Sequence, residues 1–186
     1  MKNRIMLIGI LVLCLVAGST VFAGSNIGLN GVGAKIGLVG PEGGIGSTIG
    51  FGGVVDLGWL TPQIGLEAEV LLWSKSYDSG WYYDTYEVKY SQFAINVLGK
   101  YYFEQKKGSK LHPYAGGGLG MGFWKVSWPE AAHWGGDLSG SDVVISVLGG
   151  AKMELSPKMD GFAEVRYSLG GYDFWGAFVG FIYSLK

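Results

Sequence analysis

Apolar and polar residues alternate with a period of two along most of the chain after residue 31. Between residues 143 and 155, seven apolar or small residues occupy every second position, and Ser146, Lys152 and Glu154 lie between them. A period of two is typical of β-strands whose two faces meet different surroundings. Runs of this kind, separated by clusters of turn-forming residues, predict eight strands near 32–39, 47–59, 63–75, 88–103, 111–124, 142–155, 161–170 and 174–185.

The connections between the predicted strands are short at one end of the sheet and longer at the other. Thr61-Pro62, residues 104–110 and residues 156–160 are short and polar, whereas Ser76–Glu87 and Lys125–Ser141 are longer and rich in Trp, Tyr, Gly and acidic residues. This asymmetry is typical of outer-membrane barrels, which have short periplasmic turns and longer extracellular loops. An even number of strands puts both ends of the chain on the short-turn side of the barrel, so we expect both termini in the periplasm.

Alternation alone would also fit a soluble sandwich or a lipocalin-like barrel whose apolar face points inward. The charged strand residues favour a membrane barrel, because they lie at one depth, roughly four to nine residues from the nearest short turn, on the less apolar face. A membrane barrel puts such charges in its lumen, where opposite signs pair. We therefore predict an all-β, eight-stranded antiparallel up-and-down transmembrane β-barrel. Its lumenal ion network is predicted to contain Asp56, Glu67, Glu69, Lys100, Lys152, Glu154, Glu164 and Arg166, with Lys35 joining because acids outnumber bases in this set.

Glycine and aromatic residues fit the same architecture. The chain contains 34 Gly, and Gly116, Gly117, Gly118, Gly120 and Gly122 crowd one predicted strand. In a narrow barrel, small residues leave room for large side chains from other strands. Aromatic girdles are expected from Trp59, Tyr101, Phe103 and Tyr183 at the short-turn end and from Phe174 and Trp175 at the other end. The sequence Leu71-Leu72-Trp73 breaks the apolar alternation, and it assigns Trp73 to neither face.

The N-terminal residues have the pattern of an export signal. Lys2 and Arg4 precede the apolar run Ile5–Val16, and Val21-Phe22-Ala23 provides a small residue before a cleavage point. The apolar run is shorter than the roughly 20 residues that a spanning helix needs, which favours cleavage over a membrane anchor. We expect residues 1–23 to be a signal peptide and residues 24–186 to be the barrel domain. The domain has 12 basic and 15 acidic residues and no cysteine, which argues against a nucleic-acid partner and excludes disulfides.

One stretch resembles a known family. Lys100-Tyr101-Tyr102-Phe103, a short polar turn, and then His112-Pro113-Tyr114-Ala115 followed by Gly116–Gly120 resemble the fourth and fifth strands of the small outer-membrane β-barrel superfamily, of the OmpA, OmpX and OmpW type. The resemblance implies a bacterial outer-membrane location, contact with lipid and lipopolysaccharide, delivery by the outer-membrane assembly machinery and a monomeric state. Such barrels usually end on an aromatic residue, whereas here Phe181, Tyr183 and Leu185 alternate before a final Lys186.

Candidate chemistry is sparse. His112 and His133 are the two histidines, and neither has a serine one or two residues away, which argues against a lipid A-modifying enzyme of the kind the superfamily includes. No Cys/His cluster suggests a metal site, and we expect no cofactor. The loop acids Asp78, Asp84, Glu87, Glu130, Asp137 and Asp142 are expected to be solvated, with bridging of lipopolysaccharide through divalent cations as the alternative.

The loop aromatics are the most suggestive functional feature. Trp81, Tyr82, Tyr83, Trp128 and Trp134 are candidates for surface contact, because exposed large aromatics often mark binding surfaces. Packing against one another or against lipid headgroups is the alternative. Two functions follow: a structural or surface-interaction barrel with a filled lumen, or a narrow channel for small or hydrophobic solutes of the OmpW kind. An eight-stranded lumen is about filled by side chains, which favours the first.

Overall fold

The computed structural model describes residues 26–44, 46–81, 84–104, 108–128, 137–170 and 173–185. These residues form eight antiparallel strands in one closed barrel, in which each strand pairs with the next and the last pairs with the first. The predicted eight-stranded barrel is confirmed. The predicted signal peptide lies outside the described residues. The strands are β1 (Asn26–Pro41), β2 (Thr48–Thr61), β3 (Ile64–Trp81), β4 (Asp84–Tyr102), β5 (Leu111–Ser127), β6 (Asp137–Ser156), β7 (Met159–Leu169) and β8 (Phe174–Ser184).

Closure leaves no free edge in the barrel wall, because each described strand is paired there on both sides. The β1–β8 ladder runs from Gly31 opposite Ser184 to Pro41 opposite Phe174. Full pairing suits a bilayer, where no water is present to satisfy backbone N–H and C=O groups. A bulge between Asp56 and Gly58 interrupts the β2–β3 ladder. Gly58 adopts a φ of 87°, a backbone conformation that is strained for a residue with a side chain.

Two hairpins are longer than the sequence indicated. Much of Ser76–Glu87, which we expected to be a loop, is strand, because β3 continues to Trp81 and β4 begins at Asp84. In Lys125–Ser141, the other expected loop, β5 continues to Ser127 and β6 begins at Asp137, and residues 129–136 lie outside the described residues. Cross-strand pairs extend along this hairpin as far as Trp81 opposite Asp84. The expectation was wrong because apolar content marks only the lipid-facing part of a strand. Hydroxyl and aromatic residues sustain strand pairing beyond it.

The outward face forms the apolar surface of the barrel. Along β7 and β8, Val165, Val179 and Phe181 are about half exposed or more, and the outward residues Val143 and Val147 of β6 are similarly exposed. Among the described residues, no charged side chain occupies the outward positions of this apolar band. An uncharged outer band is what lipid requires. In the part of the chain described, no helix is sufficiently long and apolar to span a membrane.

The inward face is more apolar than we expected. Leu71 and Trp73 are 1% and 4% exposed and point into the lumen, whereas Leu72 is 47% exposed and points outward. The alternation is therefore intact, and it appeared broken only because these inward positions are themselves apolar. Phe174 is also buried in the lumen, and the Trp59 ring contacts the inward-facing Tyr102, so both expected girdle positions are wrong.

Glycines make room for the inward side chains, as predicted. Gly116, Gly118 and Gly120 of β5 lie directly opposite Lys100, Leu98 and Asn96 of β4. A Cβ atom at Gly120 would come within 2.1 Å of the Asn96 Oδ1 atom, and one at Gly118 within 2.7 Å of the Leu98 Cδ2 atom. Larger residues at these positions would displace the lumen contents or open the wall.

The outward orientation of Val165 provides a test of the in/out assignment. Val165 is 63% exposed at the lipid face, directly before the buried Arg166. We expect Val165→Lys to impair folding into lipid vesicles, because a lysine near the bilayer midplane costs about 2–4 kcal/mol. The heat-dependent mobility shift of folded barrels on SDS gels measures the folded fraction, and Val165→Leu is the matched control. Equal folding of the two variants would contradict the assignment.

Candidate functional site

Six charged side chains meet inside the barrel, with three cations balancing three carboxylates. They come from four strands, β1, β3, β4 and β7, and all are almost completely buried. A buried charge without a partner costs several kcal/mol, and equal numbers of cations and carboxylates allow every charge to be paired. We call this set the ion network; it consists of Lys35, Glu67, Glu69, Lys100, Glu164 and Arg166.

Arg166 is the centre of the ion network. Its guanidinium binds both carboxylate oxygens of Glu69 across the lumen, with Nη2 2.9 Å from Oε2. The same guanidinium donates to Glu164 Oε1 from Nη2 at 2.6 Å and from Nε at 3.1 Å. A planar guanidinium has five N–H donors and can serve two carboxylates at once, which the point charge of a lysine cannot match. Arg166 thereby ties β7 to β3 on the far side of the barrel.

The two lysines complete the pairing. Lys100 Nζ lies 2.8 Å from Glu67 Oε1 and 3.0 Å from Glu164 Oε2. Lys35 Nζ binds Glu69 and lies 3.8 Å from Glu164 Oε1. Glu164 consequently contacts all three cations. Removing any one member would leave charge unbalanced in a site that water does not reach.

Polar and aromatic neighbours surround the ion network. Asn96 Nδ2 donates to Glu69 Oε1 at 2.9 Å, and the Tyr114 hydroxyl donates to Glu164 Oε2 at 3.1 Å. The Lys35 ammonium lies 4.7 Å from the centre of the Phe178 ring, and the Lys100 ammonium lies 4.8 Å from that of Tyr114. Cation–π contacts of this kind stabilise desolvated cations. Asn96, Tyr114 and Phe178 were not predicted, because charge alone selects neither amide nor aromatic residues on the inward face.

Three of the predicted network residues lie outside this buried set. Lys152 Nζ pairs with Asp160 at 2.9 Å and lies 3.9 Å from Asp56, in a partly exposed group at the short-turn mouth. Glu154 is exposed at the same mouth. The structure brings together Glu67, Glu69, Lys100, Glu164 and Arg166 of the predicted set, and it adds Lys35 as expected. The predicted single belt is divided in two because residues nearer the turns reach the water-filled mouth.

An apolar layer lies between the ion network and the long hairpins. The rings of Trp73 and Tyr90 are 5.1 Å apart, and those of Trp73 and Phe174 are 6.1 Å apart. The layer closes the lumen on the hairpin side of the charges. We call it the aromatic layer; its buried members are Val39, Leu71, Trp73, Val88, Tyr90, Val126, Phe174 and Phe178.

The predicted contact aromatics are only partly described. Trp128 is half-buried and packs against the aromatic layer, as do Tyr77 and Trp124. Trp81 ends β3. Tyr82, Tyr83 and Trp134 lie outside the described residues. Their role in surface contact therefore stays a prediction.

The histidines and the buried serines lie apart from the ion network. His112 is exposed at the short-turn end, and His133 lies outside the described residues. Within the ranges described, no group of three or more His, Cys, Asp or Glu side chains is arranged to hold a metal ion. The buried hydroxyls of Ser146 and Ser168 hydrogen-bond each other at 2.9 Å. The chemistry of the lumen is that of ion pairing.

Comparisons with known proteins agree with this geometry. No protein-family model matches the sequence, and no curated protein sequence matches it. Among solved structures, Neisserial surface protein A is similar at 16% identity, with a TM-score of 0.63, covering 83% of this chain and 96% of that one. Ail of Yersinia pestis, solved with the heparin analogue sucrose octasulfate, is similar at 14% identity and a TM-score of 0.55, covering 84% and 100%.

A third solved structure extends the agreement. The N-terminal β-barrel domain of Pseudomonas aeruginosa OprF is similar at 15% identity and a TM-score of 0.51, covering 85% of this chain and 99% of that one. At these identities the likeness shows the fold. At the level of the fold, it confirms the resemblance of β4 and β5 to the corresponding strands of the small outer-membrane barrels. The chain therefore has the fold of the small eight-stranded outer-membrane β-barrel proteins.

Proposed function

We propose that this protein is a non-enzymatic, monomeric outer-membrane barrel with a sealed lumen, whose role is to stabilise the envelope or to present its surface to partners. The ion network carries this proposal. Its side chains span the lumen from β7 to β3, and those of Glu69, Glu164 and Arg166 are 0% exposed. The aromatic layer closes the lumen a second time, on the long-hairpin side of the ion network.

The packed lumen argues against the alternative, a narrow channel. A hydrated solute would have to displace Arg166 from two carboxylates at once, and the rings of Trp73 and Phe174 block the way above. An eight-stranded barrel has an interior just wide enough for its own side chains. A structural or surface role needs no such path.

The proposed orientation places the long hairpins outside the cell and both termini in the periplasm. The hairpins β3–β4 and β5–β6 extend beyond the apolar band, whereas the turns at 62–63 and 157–158 are two residues long. Lipid and lipopolysaccharide are the partners we propose for the outer surface, with the assembly machinery acting during insertion. Ail, which shares the fold, was solved with a sulfated heparin analogue, which supports an outer surface as the working part.

The sealed lumen predicts electrical silence. We expect the folded protein to show no single-channel events in planar bilayers, and Arg166→Met to destabilise the barrel or to open a leak. Removing the guanidinium leaves Glu69 and Glu164 facing each other with one cation fewer, which also costs about 3–5 kcal/mol of unfolding free energy. Lys158→Met, at an exposed turn lysine, is the matched control. Arg166→Met as silent and as stable as Lys158→Met would refute the plug.

The orientation predicts which end accepts a label from outside. The predicted mature chain has no cysteine, so Ser139→Cys and Lys158→Cys each introduce a single exposed thiol at opposite ends of the barrel. A membrane-impermeant maleimide added to intact cells should label Ser139→Cys and should label Lys158→Cys only after lysis. The reverse pattern would show that the topology is inverted.

A further inference from the structure

The short-turn end of the barrel opens into a cavity of about 670 Å³. Pockets that bind small molecules typically have volumes of about 300–1,000 Å³. A gap of about 10 Å³, at the lower limit for one water molecule, separates the floor of this cavity from Glu67 and Lys100 of the ion network. The cavity is therefore closed at its inner end. We call it the mouth cavity, and the charged strand residues that line it are Asp56, Lys152, Glu154 and Asp160.

The three carboxylates of the mouth cavity form two acceptor groups. Asp160 of β7 lies opposite Glu154 of β6 and, on its other side, opposite Ile182 of β8. Gly31 of β1 lies opposite Asp56 of β2. Because β8 and β1 separate β7 from β2, three strand spacings, or roughly 14 Å of wall, lie between the two groups. One group is Asp56, and the other is Asp160 with Glu154.

One lysine serves both acceptor groups. Lys152 Nζ lies 2.9 Å from Asp160 Oδ2 and 3.9 Å from Asp56 Oδ2, and the three side chains are 16–31% exposed. Two partly buried carboxylates thus share one ammonium group. Within the described part of the chain, Glu154 forms no ion pair. With three acids and one lysine, the charged strand residues of the mouth cavity carry a net charge of −2.

A buried acceptor also belongs to the mouth cavity. Asn30 lines the cavity, and its Oδ1 atom is buried and accepts no hydrogen bond from a described residue. Asn30 precedes Gly31, so it lies beside Asp56 across the β1–β2 ladder. Buried polar atoms in proteins nearly always have a hydrogen-bond partner. The Asn30 oxygen and the Glu154 carboxylate are both acceptors, so a ligand that satisfies them is a donor.

Aromatic and aliphatic residues give the mouth cavity an apolar surface. The rings of Trp59 and Tyr102, with centres 5.0 Å apart, line it together with Met159 and Ile182. An aromatic ring face attracts a cation. Aliphatic side chains gain from covering a methylene chain, because both surfaces leave water. The lining therefore suits a cationic group on a short hydrocarbon chain.

The turns at this end contribute charges of both signs. Lys158 and Glu104 line the rim of the mouth cavity, and Lys110 lies in a neighbouring turn. All three are exposed, and Glu104 accepts a hydrogen bond from Gln63 at 3.3 Å. Solvent and salt screen exposed charges strongly and partly buried ones less. The partly buried carboxylates thus outweigh the turn lysines in selecting the charge of a ligand.

We propose that the mouth cavity binds a short linear diamine. One ammonium group binds Asp56 and the Asn30 oxygen. The other binds Asp160 and Glu154, and the methylene chain lies against the Trp59 ring. Two ammonium groups balance the net charge of −2 and supply donors to both acceptor groups. The site goes beyond the proposed function, and it does not depend on which end of the barrel faces the periplasm.

A divalent metal ion has the same charge but suits the mouth cavity less well. A single ion binds ligands that surround one point. Within the described ranges, no three His, Cys, Asp or Glu side chains are arranged to hold a metal ion. A diamine separates its two charges and can reach both acceptor groups.

Isothermal titration calorimetry on the folded barrel in a zwitterionic detergent tests the site. Folding of each sample is checked by the heat-dependent mobility shift. We expect 1,5-diaminopentane to bind saturably, with one molecule per barrel. We expect 1,5-pentanediol, which has the same length and no charge, to produce no binding heat. Magnesium chloride at the same concentration of charge should not displace the diamine.

Two substitutions on the same wall should act in opposite directions. Glu154→Gln removes an acceptor and should weaken diamine binding about two- to fivefold, the range for an exposed ion pair. Lys152→Gln releases Asp56 and Asp160 and should strengthen binding about tenfold. Glu87→Gln, at an exposed acid of the long-hairpin end, is the matched control and should leave binding unchanged. A general loss of stability does not produce effects of opposite sign.

Four results would overturn the inference. They are equal binding of the diol, displacement of the diamine by magnesium, equal losses from Glu154→Gln and Glu87→Gln, and a Lys152→Gln barrel that binds no more tightly than the unmodified one. If Lys152→Gln does not fold, the comparison of Glu154→Gln with Glu87→Gln decides. Glu154 is exposed and forms no ion pair with a described residue, so its substitution leaves the barrel folded.

Discussion

The narrow lumen can hold charge only if every charge is paired, and most of the interior follows from that constraint. Eight strands enclose a space that side chains fill, so water cannot solvate an ion at mid-height. Three cations and three carboxylates meet there with no net charge, and Arg166 holds two of the carboxylates together. Replacing such a set by apolar residues is often neutral for stability, whereas removing one member is costly. We therefore interpret the ion network as a specificity element: its pairs form only when β3 and β7 face each other across the barrel.

The surrounding residues are fitted to this constraint. Glycines of β5 face the large inward side chains of β4, and aromatic rings cover the lysine ammonium groups. The aromatic layer closes the hairpin side, while the partly exposed group around Lys152 faces the other mouth. Outside, the same strands present an apolar band to lipid and then hydroxyls and charged side chains of both signs where that band ends. One alternation of side chains thus serves the lumen, the bilayer and the membrane surface.

Alternation and charge position predict some features of this structure from the sequence, whereas apolar content predicts others poorly. Period-two alternation and the restricted depth of the charges were sufficient for the number of strands and for the inward placement of Glu67, Glu69 and Arg166. The extent of β3 and β4 was not predictable from apolar content, because residues 76–81 and 84–87 include no aliphatic residue. Trp73 was assigned to neither face, and Phe174 was assigned to the lipid face. Both lie in the lumen, which is apolar wherever it holds no charged residue. In β8, Gly176 and Gly180 alternate with Phe174, Phe178 and Ile182, and this pattern of glycine with large residues is a usable signal for such positions.

The central claim is that the charges act as one coupled unit, and a double-mutant cycle between Arg166 and Glu69 tests it most directly. Equilibrium unfolding by denaturant in lipid vesicles would compare Arg166→Met, Glu69→Gln and the double variant with the unmodified protein. Each single change should cost about 3–5 kcal/mol, because it leaves a buried charge unpaired. The double variant keeps two cations, Lys35 and Lys100, and two carboxylates, Glu67 and Glu164, so its charges still balance. It should therefore cost less than the sum of the single changes by at least about 1.5 kcal/mol. Additive losses, agreeing to within about 0.5 kcal/mol, would contradict the account.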